Sequence, residues 1–219
     1  MSRVVPSPTQ KSAAEKMVAA VGRIKGCDAE LIERSSGTKS RWTVSIGCDP
    51  GNWRGLAEKL LKTHEVDYCS LITGIHWPDG PEEKKWEVVY HFLRTGVKNP
   101  PEIDGVQQPI ITDPTTVKGK LVPLEIEVNI AIPDTRTPTV ASVQDLWIGA
   151  DWNEKETWDL VGIDFEGHKG MRRVLQPHET PTGYHPLQKH HNIRYHGFEE
   201  MYDDAQGFSR KPDDVGKVK

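Results

Sequence analysis

Histidines, carboxylates and an arginine pair crowd the second half of this 219-residue chain. Imidazole is a common ligand of zinc, copper and iron, so a histidine-rich segment raises a metal-site hypothesis. The spacing does not support it, because there is no His-Glu-x-x-His helix motif and no predicted element brings three histidines together. Solvated or interface histidines explain the pattern without a ligand role. Six of the nine histidines are involved: His168, His178, His185, His190, His191 and His196.

Five acidic residues nearby could supply paired carboxylates for general acid–base catalysis, which also needs a pocket and a positioned partner. They are Glu154, Glu156, Asp159, Asp164 and Glu166. The first two are predicted to lie near the positive end of a helix, where acids are favoured. No catalytic centre is therefore expected among them.

The adjacent Arg172 and Arg173 are predicted to serve a protein interface. Planar guanidinium groups make bidentate bonds to carboxylates, and arginine is enriched at contact surfaces. Replacing both with Ala is expected to weaken assembly and leave the isolated chain folded. Trp147, Trp152 and Trp158 fit core and contact roles equally well.

Other chemistries lack their motifs. The glycines have no strand–loop–helix phosphate context, no GxGxxG follows a strand, and no nucleophile elbow is visible. Cys27, Cys48 and Cys69 are singly and widely spaced, which disfavours a disulfide framework, a zinc site and an iron–sulfur cluster. Three reduced thiols are expected.

Composition narrows the class of protein further. A net charge of −4 disfavours a nucleic-acid partner. The longest mainly apolar run, residues 66–75, is too short to cross a bilayer as a helix. The first residues lack the apolar centre of a secretory signal, so a cytoplasmic location is expected, with any membrane attachment made through partners.

The periodicity predicts alternating helical and extended segments in the first half. Ser12–Glu15 fits a capping box for a first helix that Gly26 ends. Residues 29–34 and 41–46 are predicted to form a hairpin. Asp49 and Pro50 are typical of a helix N-cap and first turn.

Three further strands are expected at residues 66–75, 86–92 and 124–132. Adjacent strands without intervening helices indicate an α+β fold, a mostly antiparallel sheet with helices packed on it. The Pro-rich stretch 96–120 is predicted to be an exposed excursion, either a loop or a contact arm.

Residues 142–150 and 151–161 are predicted to form two short helices, the second capped by Asp151 or Asn153 and ended by Gly162. After Phe165 the sequence is too irregular for its own core, which indicates a C-terminal extension that lies across another surface. The expected division is an α+β domain over 1–150 and a helix with an extended segment over 151–219 that packs on a partner.

Many of the acids, glycines, histidines and arginines named above belong to one longer sequence pattern. Residues 152–168 read WNEKETWDLVGIDFEGH, residues 171–175 read MRRVL, and residues 185–187 read HPL. This resembles the signature of the C subunit of respiratory complex I, a quinone oxidoreductase. The departures from that signature are Lys155 for the usual Arg, Val161 for an aromatic, Lys169 and Gly170 for a Pro–acid pair, and Gln188 for an Arg.

The resemblance implies a cofactor-free scaffold subunit in the peripheral arm of a proton-translocating NADH (or ferredoxin):quinone oxidoreductase. It implies contact with the quinone-reducing, hydrogenase-like large subunit, with iron–sulfur clusters and quinone held by partner subunits, at the cytoplasmic face of the membrane. The alternatives are the equivalent subunit of an energy-converting membrane-bound hydrogenase and a stand-alone metal enzyme using the His-rich tail. The expected interface residues are Glu154, Glu156, Trp158, Asp159, Gly162, Phe165, Gly167, His168, Arg172, Arg173, Pro186 and Leu187.

Overall fold

A computed structural model describes residues 8–36, 39–96, 102–103, 106–107 and 122–191. The chain divides into two compact units, Met1–Lys189 and His190–Lys219. In the second unit only His190 and His191 are described, and their ring centroids are 4.2 Å apart. All of the helices and strands among the described residues belong to the first unit.

The first unit begins with a helix and a hairpin and continues with strands and two more helices. In chain order the elements are α1 (Pro8–Val21), β1 (Cys27–Ser36), β2 (Lys39–Cys48), α2 (Pro50–Lys62), β3 (Tyr68–His76), β4 (Trp86–Arg94), β5 (Glu102–Ile103), β6 (Val106–Gln107), β7 (Leu124–Ile132), β8 (Thr139–Ala141), α3 (Ile148–Val161) and β9 (Asp164–Glu166).

The main sheet has five strands in the order β1-β2-β7-β4-β3. Only the β2–β7 pair is parallel, and the other three pairs are antiparallel. The predicted α+β fold with a mostly antiparallel sheet is therefore confirmed. β5 pairs with β6 and β8 with β9 in two small separate sheets.

One face of the sheet carries the hydrophobic core. The strand β7 alternates buried and half-buried residues along its whole length, as its sequence predicts. From α2, Trp53 packs its ring 4.3 Å from that of Tyr90. From the loop before α3, Trp147 packs 4.5 Å from Phe92. Aromatic stacking on β4 thus joins α2 and the start of α3 to the centre of the sheet.

The first half largely follows the predicted pattern, with shifted ends. Asp49 is the N-cap of α2 and Pro50 its first residue, as expected. The helix α1 begins at Pro8, so the capping-box prediction at Ser12 is wrong. A proline at the first helical position needs no hydrogen-bond acceptor, which lets the helix begin one turn earlier. It also ends at Val21, before Gly26.

The region before α3 differs from its prediction. Residues 142–147 form a loop, and α3 is one helix with Trp147 as its N-cap, so the two-helix prediction and the Asp151 or Asn153 cap are wrong. The cause is the Glu154 side chain of α3, which accepts hydrogen bonds from Ser142 and Val143 and keeps them in a loop. Gly162 does end the helix, with φ of 86°. Most of residues 96–120 lie outside the described residues, and the role of that stretch stays a prediction.

The helix α3 lies close against the edge strand β3 because two glycines permit it. A Cβ on Gly149 would meet the backbone oxygen of Cys69 at 2.7 Å. A Cβ on Gly74 of β3 would meet the side chain of Thr157 at 2.8 Å, and the Thr157 hydroxyl donates to the Ile72 carbonyl at 3.1 Å. The position of α3 is thus fixed by close contact at both ends.

Replacing Gly149 with Ala should lower the free energy of unfolding by about 1–3 kcal/mol, because the new methyl group meets backbone that cannot turn aside. Gly55 in α2 is the matched control, since nothing lies within 4 Å of the position that a Cβ would take there. At Gly55 the change to Ala should raise stability by about 0.5–1 kcal/mol through helix propensity. Urea unfolding of both variants measures the contrast, and equal stabilities would contradict the close packing of α3 on β3.

Candidate functional site

A buried carboxylate in the last turn of α3 collects most of the polar contacts of the C-terminal segment. Asp159 is fully buried. Its Oδ2 accepts hydrogen bonds at 2.9–3.0 Å from three consecutive backbone N–H groups, those of residues 174–176. Its Oδ1 accepts from the guanidinium of Arg173 at 2.8 Å and from the side-chain amide of Gln176 at 2.9 Å. Successive N–H groups around one oxygen form an anion-binding nest.

Two opposing effects set the pKa of Asp159. Burial raises the pKa, but the hydrogen bonds from residues 174–176 and from Arg173 outweigh it and hold the pKa well below its usual range. A carboxylate at a helix C-terminus also faces the negative end of the helix dipole. The donors from the C-terminal segment are therefore what allows an ionised group at this position.

The same segment also satisfies the carbonyl groups that end α3. The last carbonyls of a helix have no partner within it. Here residues from the C-terminal segment donate to three of them: His185 Nδ1 and Gln176 Nε2 to Asp159 O at 3.0 and 2.6 Å, Leu187 N to Leu160 O at 2.9 Å, and Gln188 Nε2 to Val161 O at 2.9 Å. A carbonyl only accepts, so Nδ1 carries the proton of His185.

Two further features complete the end of α3. Gly162 has a positive φ, and a Cβ there would meet the ring of His185 at 2.6 Å. The Arg173 guanidinium continues past Asp159 to the carbonyls of Pro181 and Tyr184 at 3.0 and 3.2 Å. Residues 171–189 therefore fold over the helix end with no helix or strand of their own. We call this stretch the tail segment.

A second buried carboxyl, Glu154 in the middle of α3, holds the loop before the helix. Its oxygens accept from the Ser142 hydroxyl at 2.6 Å and from the Val143 N–H at 2.8 Å. Burial raises the pKa of Glu154 to about 7, with these two hydrogen bonds opposing the rise. The prediction that Glu154 is an acid at the helix end is wrong, because α3 begins six residues before it.

The imidazole of His168 is buried beside Glu154. Its Nε2 lies 3.4 Å from Oδ1 of Asp151 and 3.9 Å from Oε2 of Glu154, and its ring is fully shielded from solvent. Its Nδ1 is buried and has no hydrogen-bond partner. The acid and the imidazole form an internal polar cluster.

The exposed residues of the tail segment include two leucines and an arginine. Leu175 and Leu187 are 55% and 47% exposed, although their backbone N–H groups are tied to Asp159 and Leu160. Arg172 is exposed and makes none of the internal contacts of Arg173. We call Arg172, Leu175 and Leu187 the tail surface.

The twelve predicted interface residues fall into three groups. Four are buried in the chain, and the side chain of a fifth is 8% exposed: Glu154, Asp159, Phe165, the side chain of His168, and Arg173. Half-buried are Glu156, Trp158, Gly162 and Pro186. Exposed are Gly167, Arg172 and Leu187. Their contact with a partner stays a prediction, but the buried members act within this chain.

Sequence reasoning missed several residues of this site. Gln176, Gln188 and Ser142 belong to no recognisable sequence motif. Only their position in the sequence near the predicted helix ends could have suggested that they bond to α3. The expectation that the isolated chain stays folded without Arg172 and Arg173 remains a prediction. The Arg173 guanidinium is the counterion of a buried carboxylate, so its loss should lower the stability of the chain. Ile148 and Trp152, which are 96% and 52% exposed on α3, were not singled out as a pair.

The histidines do not converge in the part of the chain that the structure describes. His178 is exposed and His185 is bonded to the end of α3. Among the described residues no group of three His, Cys, Asp or Glu side chains is placed to hold a metal ion. His196 lies outside the described residues. Asp164 and Glu166 are exposed on β9, apart from the buried acids.

Replacing Glu154 with Gln should remove a pH dependence of stability. A folded-state pKa near 7, raised from 4.5, means that the folded protein binds the proton more tightly than the unfolded chain. Stability therefore falls as pH rises from about 4.5 to about 7, on the order of 2–3 kcal/mol in total. Urea unfolding at pH 5 and pH 8 should show that fall in the native chain and in Glu156→Gln, and not in Glu154→Gln.

Replacing Asp159 with Asn should release the tail segment at neutral pH, costing roughly 2–4 kcal/mol. Because the folded-state pKa is depressed, the contribution of Asp159 is present above about pH 4 and is lost as pH falls further. Hydrogen exchange at the amides of residues 174–176 reports the release directly. Asp164→Asn, at an exposed position of β9, is the control. Unchanged protection in Asp159→Asn would contradict the role assigned to this carboxylate.

Comparison with known proteins assigns this chain to a family. Residues 46–197 match the family described as the respiratory-chain NADH dehydrogenase 30 kDa subunit. The chain is 34% identical over 154 residues to the C subunit of NADH-quinone oxidoreductase from Chloroherpeton thalassium, a match that covers 68% of this chain and 51% of that protein. It is 33% identical over 167 residues to the C subunit of the same oxidoreductase from Agrobacterium fabrum, covering 74% and 66%.

The fold also occurs in a solved membrane complex. A chain in the structure of the membrane-bound sulfane sulfur reductase, an archaeal respiratory membrane complex, aligns with a TM-score of 0.55 and 16% identity, covering 91% of this chain and 96% of that one. At this identity the likeness concerns the fold alone. The matched regions cover less than two thirds of either of the two bacterial relatives. The family match covers most of the chain, including α3 and the tail segment, and the chain belongs to the family of the 30 kDa, or C, subunit of respiratory-chain NADH dehydrogenase (complex I).

Proposed function

We propose that this chain is a cofactor-free structural subunit in the peripheral arm of a proton-translocating NADH (or ferredoxin):quinone oxidoreductase, where it holds the quinone-reducing large subunit. The observation that carries the proposal is the family match over α3 and the tail segment, the part of the chain where the polar contacts concentrate. The relatives are named as subunits of NADH-quinone oxidoreductase, which favours this assembly over a hydrogenase.

The geometry of the tail segment supports a binding role. The backbone N–H groups of Leu175 and Leu187 are bonded to Asp159 and Leu160, so both leucines of the tail surface are anchored before a partner arrives. Binding to a preordered surface costs less conformational entropy than folding a disordered segment. The exposed Leu175 and Leu187 offer apolar area to that partner, and the exposed Arg172 offers a charged contact.

The acids of α3 fit a structural subunit better than a catalytic one. The carboxyl groups of Glu154 and Asp159 are buried and bonded to loops of the same chain. We assign the redox chemistry to partner subunits, which would hold the iron–sulfur clusters and the quinone. The electron donor, whether NADH or ferredoxin, would then be set by those partners.

Attachment to the membrane would be peripheral. Within residues 8–36, 39–96 and 122–191 no helix is long and apolar enough to cross a bilayer. We place the subunit on the cytoplasmic face, where the large subunit would connect it to the membrane arm.

Replacing Arg172 with Ala should weaken assembly without destabilising the chain. The yield of intact complex on native gels should fall roughly tenfold, as expected for the loss of one arginine contact worth about 1.4 kcal/mol. The unfolding midpoint of the isolated variant should match that of the native chain, because Arg172 is exposed. Arg23→Ala is the matched control, since Arg23 is exposed in the turn before β1 at the opposite edge of the sheet.

Arg173→Ala separates the two roles of the pair. This variant should lower the stability of the isolated chain, because it leaves the buried Asp159 without its counterion.

Mass spectrometry of subunits that co-purify with the tagged chain would identify the assembly. Recovery of iron–sulfur subunits and a quinone-reducing large subunit supports the proposal. Unchanged complex yield in Arg172→Ala, or recovery of the chain alone, would contradict it.

A further inference from the structure

Two of the three cysteines, far apart in sequence, meet at the open end of the β1–β2 hairpin. Cys27 and Cys48 are direct partners across the two strands. Their Sγ atoms are 3.3 Å apart, and both thiols are free. Their separation in the sequence gave no sign of this contact.

The position on the ladder suits a covalent bridge. The N–H of Asp49 donates to the carbonyl of Gly26 at 2.9 Å, one residue beyond the cysteine on each strand. The cysteines therefore occupy a non-hydrogen-bonded pair, where the Cα atoms of antiparallel strands are about 4.5 Å apart. This lies at the short end of the roughly 4.4–6.8 Å that disulfides span. The sulfur atoms need to approach by only about 1.3 Å.

The two thiols differ in access. Cys27 is half-buried, whereas Cys48 is 7% exposed. Both line an open cleft that also contains Asp28, Lys84 and Glu87. Burial, together with the neighbouring Cys27 thiol, raises the pKa of the Cys48 thiol far above its usual range. A reagent entering the cleft meets Cys27 first, and Cys48 is placed behind it as the resolving thiol.

We propose that Cys27 and Cys48 form a dithiol modification site that low-molecular-weight disulfides oxidise to an intramolecular Cys27–Cys48 bridge. The Cys27 thiolate attacks one sulfur of the reagent R–S–S–R, forming a mixed disulfide and expelling RS⁻. The Cys48 thiol then gives its proton to the expelled RS⁻ and attacks the sulfur of Cys27, which forms the bridge and expels the second RS⁻. Two electrons pass from the protein to the reagent, and the two thiol protons end on two molecules of RSH.

Cys69 provides an internal control. It lies on β3, at the opposite edge of the sheet from β1, and is 4% exposed behind α3. Burial raises its pKa to about 12. It has no cysteine partner, so oxidation at the proposed site should leave it as a free thiol.

The test uses the purified, reduced full chain and glutathione disulfide. The number of free thiols in the folded chain should fall from three to one. Trypsin separates the three cysteines, because Cys27 lies in the peptide 26–34, Cys48 in 42–54 and Cys69 in 63–84. Mass spectrometry without reduction should find the first two peptides joined and the third alkylated by the blocking reagent. Dithiothreitol should restore three thiols.

Single-cysteine variants test the order of the steps. Cys48→Ser should stop at a stable glutathione adduct on Cys27, and Cys69→Ser should still form the bridge. Near-ultraviolet circular dichroism of each variant checks that the fold is retained.

Three unreacted thiols, a bridge to Cys69, or a glutathione adduct that persists on the native chain would each overturn the proposal. The measurement needs no partner subunit, so its outcome is independent of the function proposed above.

Discussion

The C-terminal end of α3 is the constraint on which the rest of the site depends. A helix end presents unpaired carbonyl groups, and here a buried carboxylate adds a full negative charge to the same place. Neither could remain buried without donors, and the helix itself has none to offer. The tail segment supplies them through backbone N–H groups, two glutamines, a histidine and an arginine. The path of the tail segment follows from these hydrogen bonds, because each of its donors must reach an acceptor at the end of α3. Gly162 then has to be glycine, since the ring of His185 occupies the space of a side chain.

The tail segment is connected to the main sheet through α3, which packs on the edge strand β3. β3 is an edge strand, and edge strands that stay uncovered can pair with other chains. The helix α3 covers this strand and approaches its backbone at Gly149, which leaves little freedom for the helix to shift. The tail segment is bonded to the helix, and the helix is packed on the sheet. A segment without regular structure is thereby anchored to the core, and the backbone of its exposed leucines is bonded to the end of α3.

Elements with a clear period were predictable, and contacts between polar groups were not. The bounds of β7 follow from strict alternation, and Asp49, Pro50 and Gly162 mark helix ends through backbone chemistry that acts locally. Residues 142–147 have helical composition, yet Glu154 captures the hydroxyl of Ser142 and the N–H of Val143 and keeps them in a loop. Arg173 was predicted for an interface because sequence shows the charge and not the carboxylate beneath it. The meeting of Cys27 and Cys48 depends on the register of the hairpin, which residue types alone do not determine.

Two fully buried carboxyl groups on one helix have pKa values shifted in opposite directions, a pattern that often marks an acid–base pair in an active site. The cause here is the number of donors each receives. Glu154 has two, and burial prevails, whereas Asp159 has four backbone or charged donors and the amide of Gln176, and ionisation prevails. Both act on loops of their own chain. Acids and an arginine whose spacing suggests catalysis therefore make contacts within the chain, and Arg172, Leu175 and Leu187 are left exposed on the tail segment that these contacts anchor.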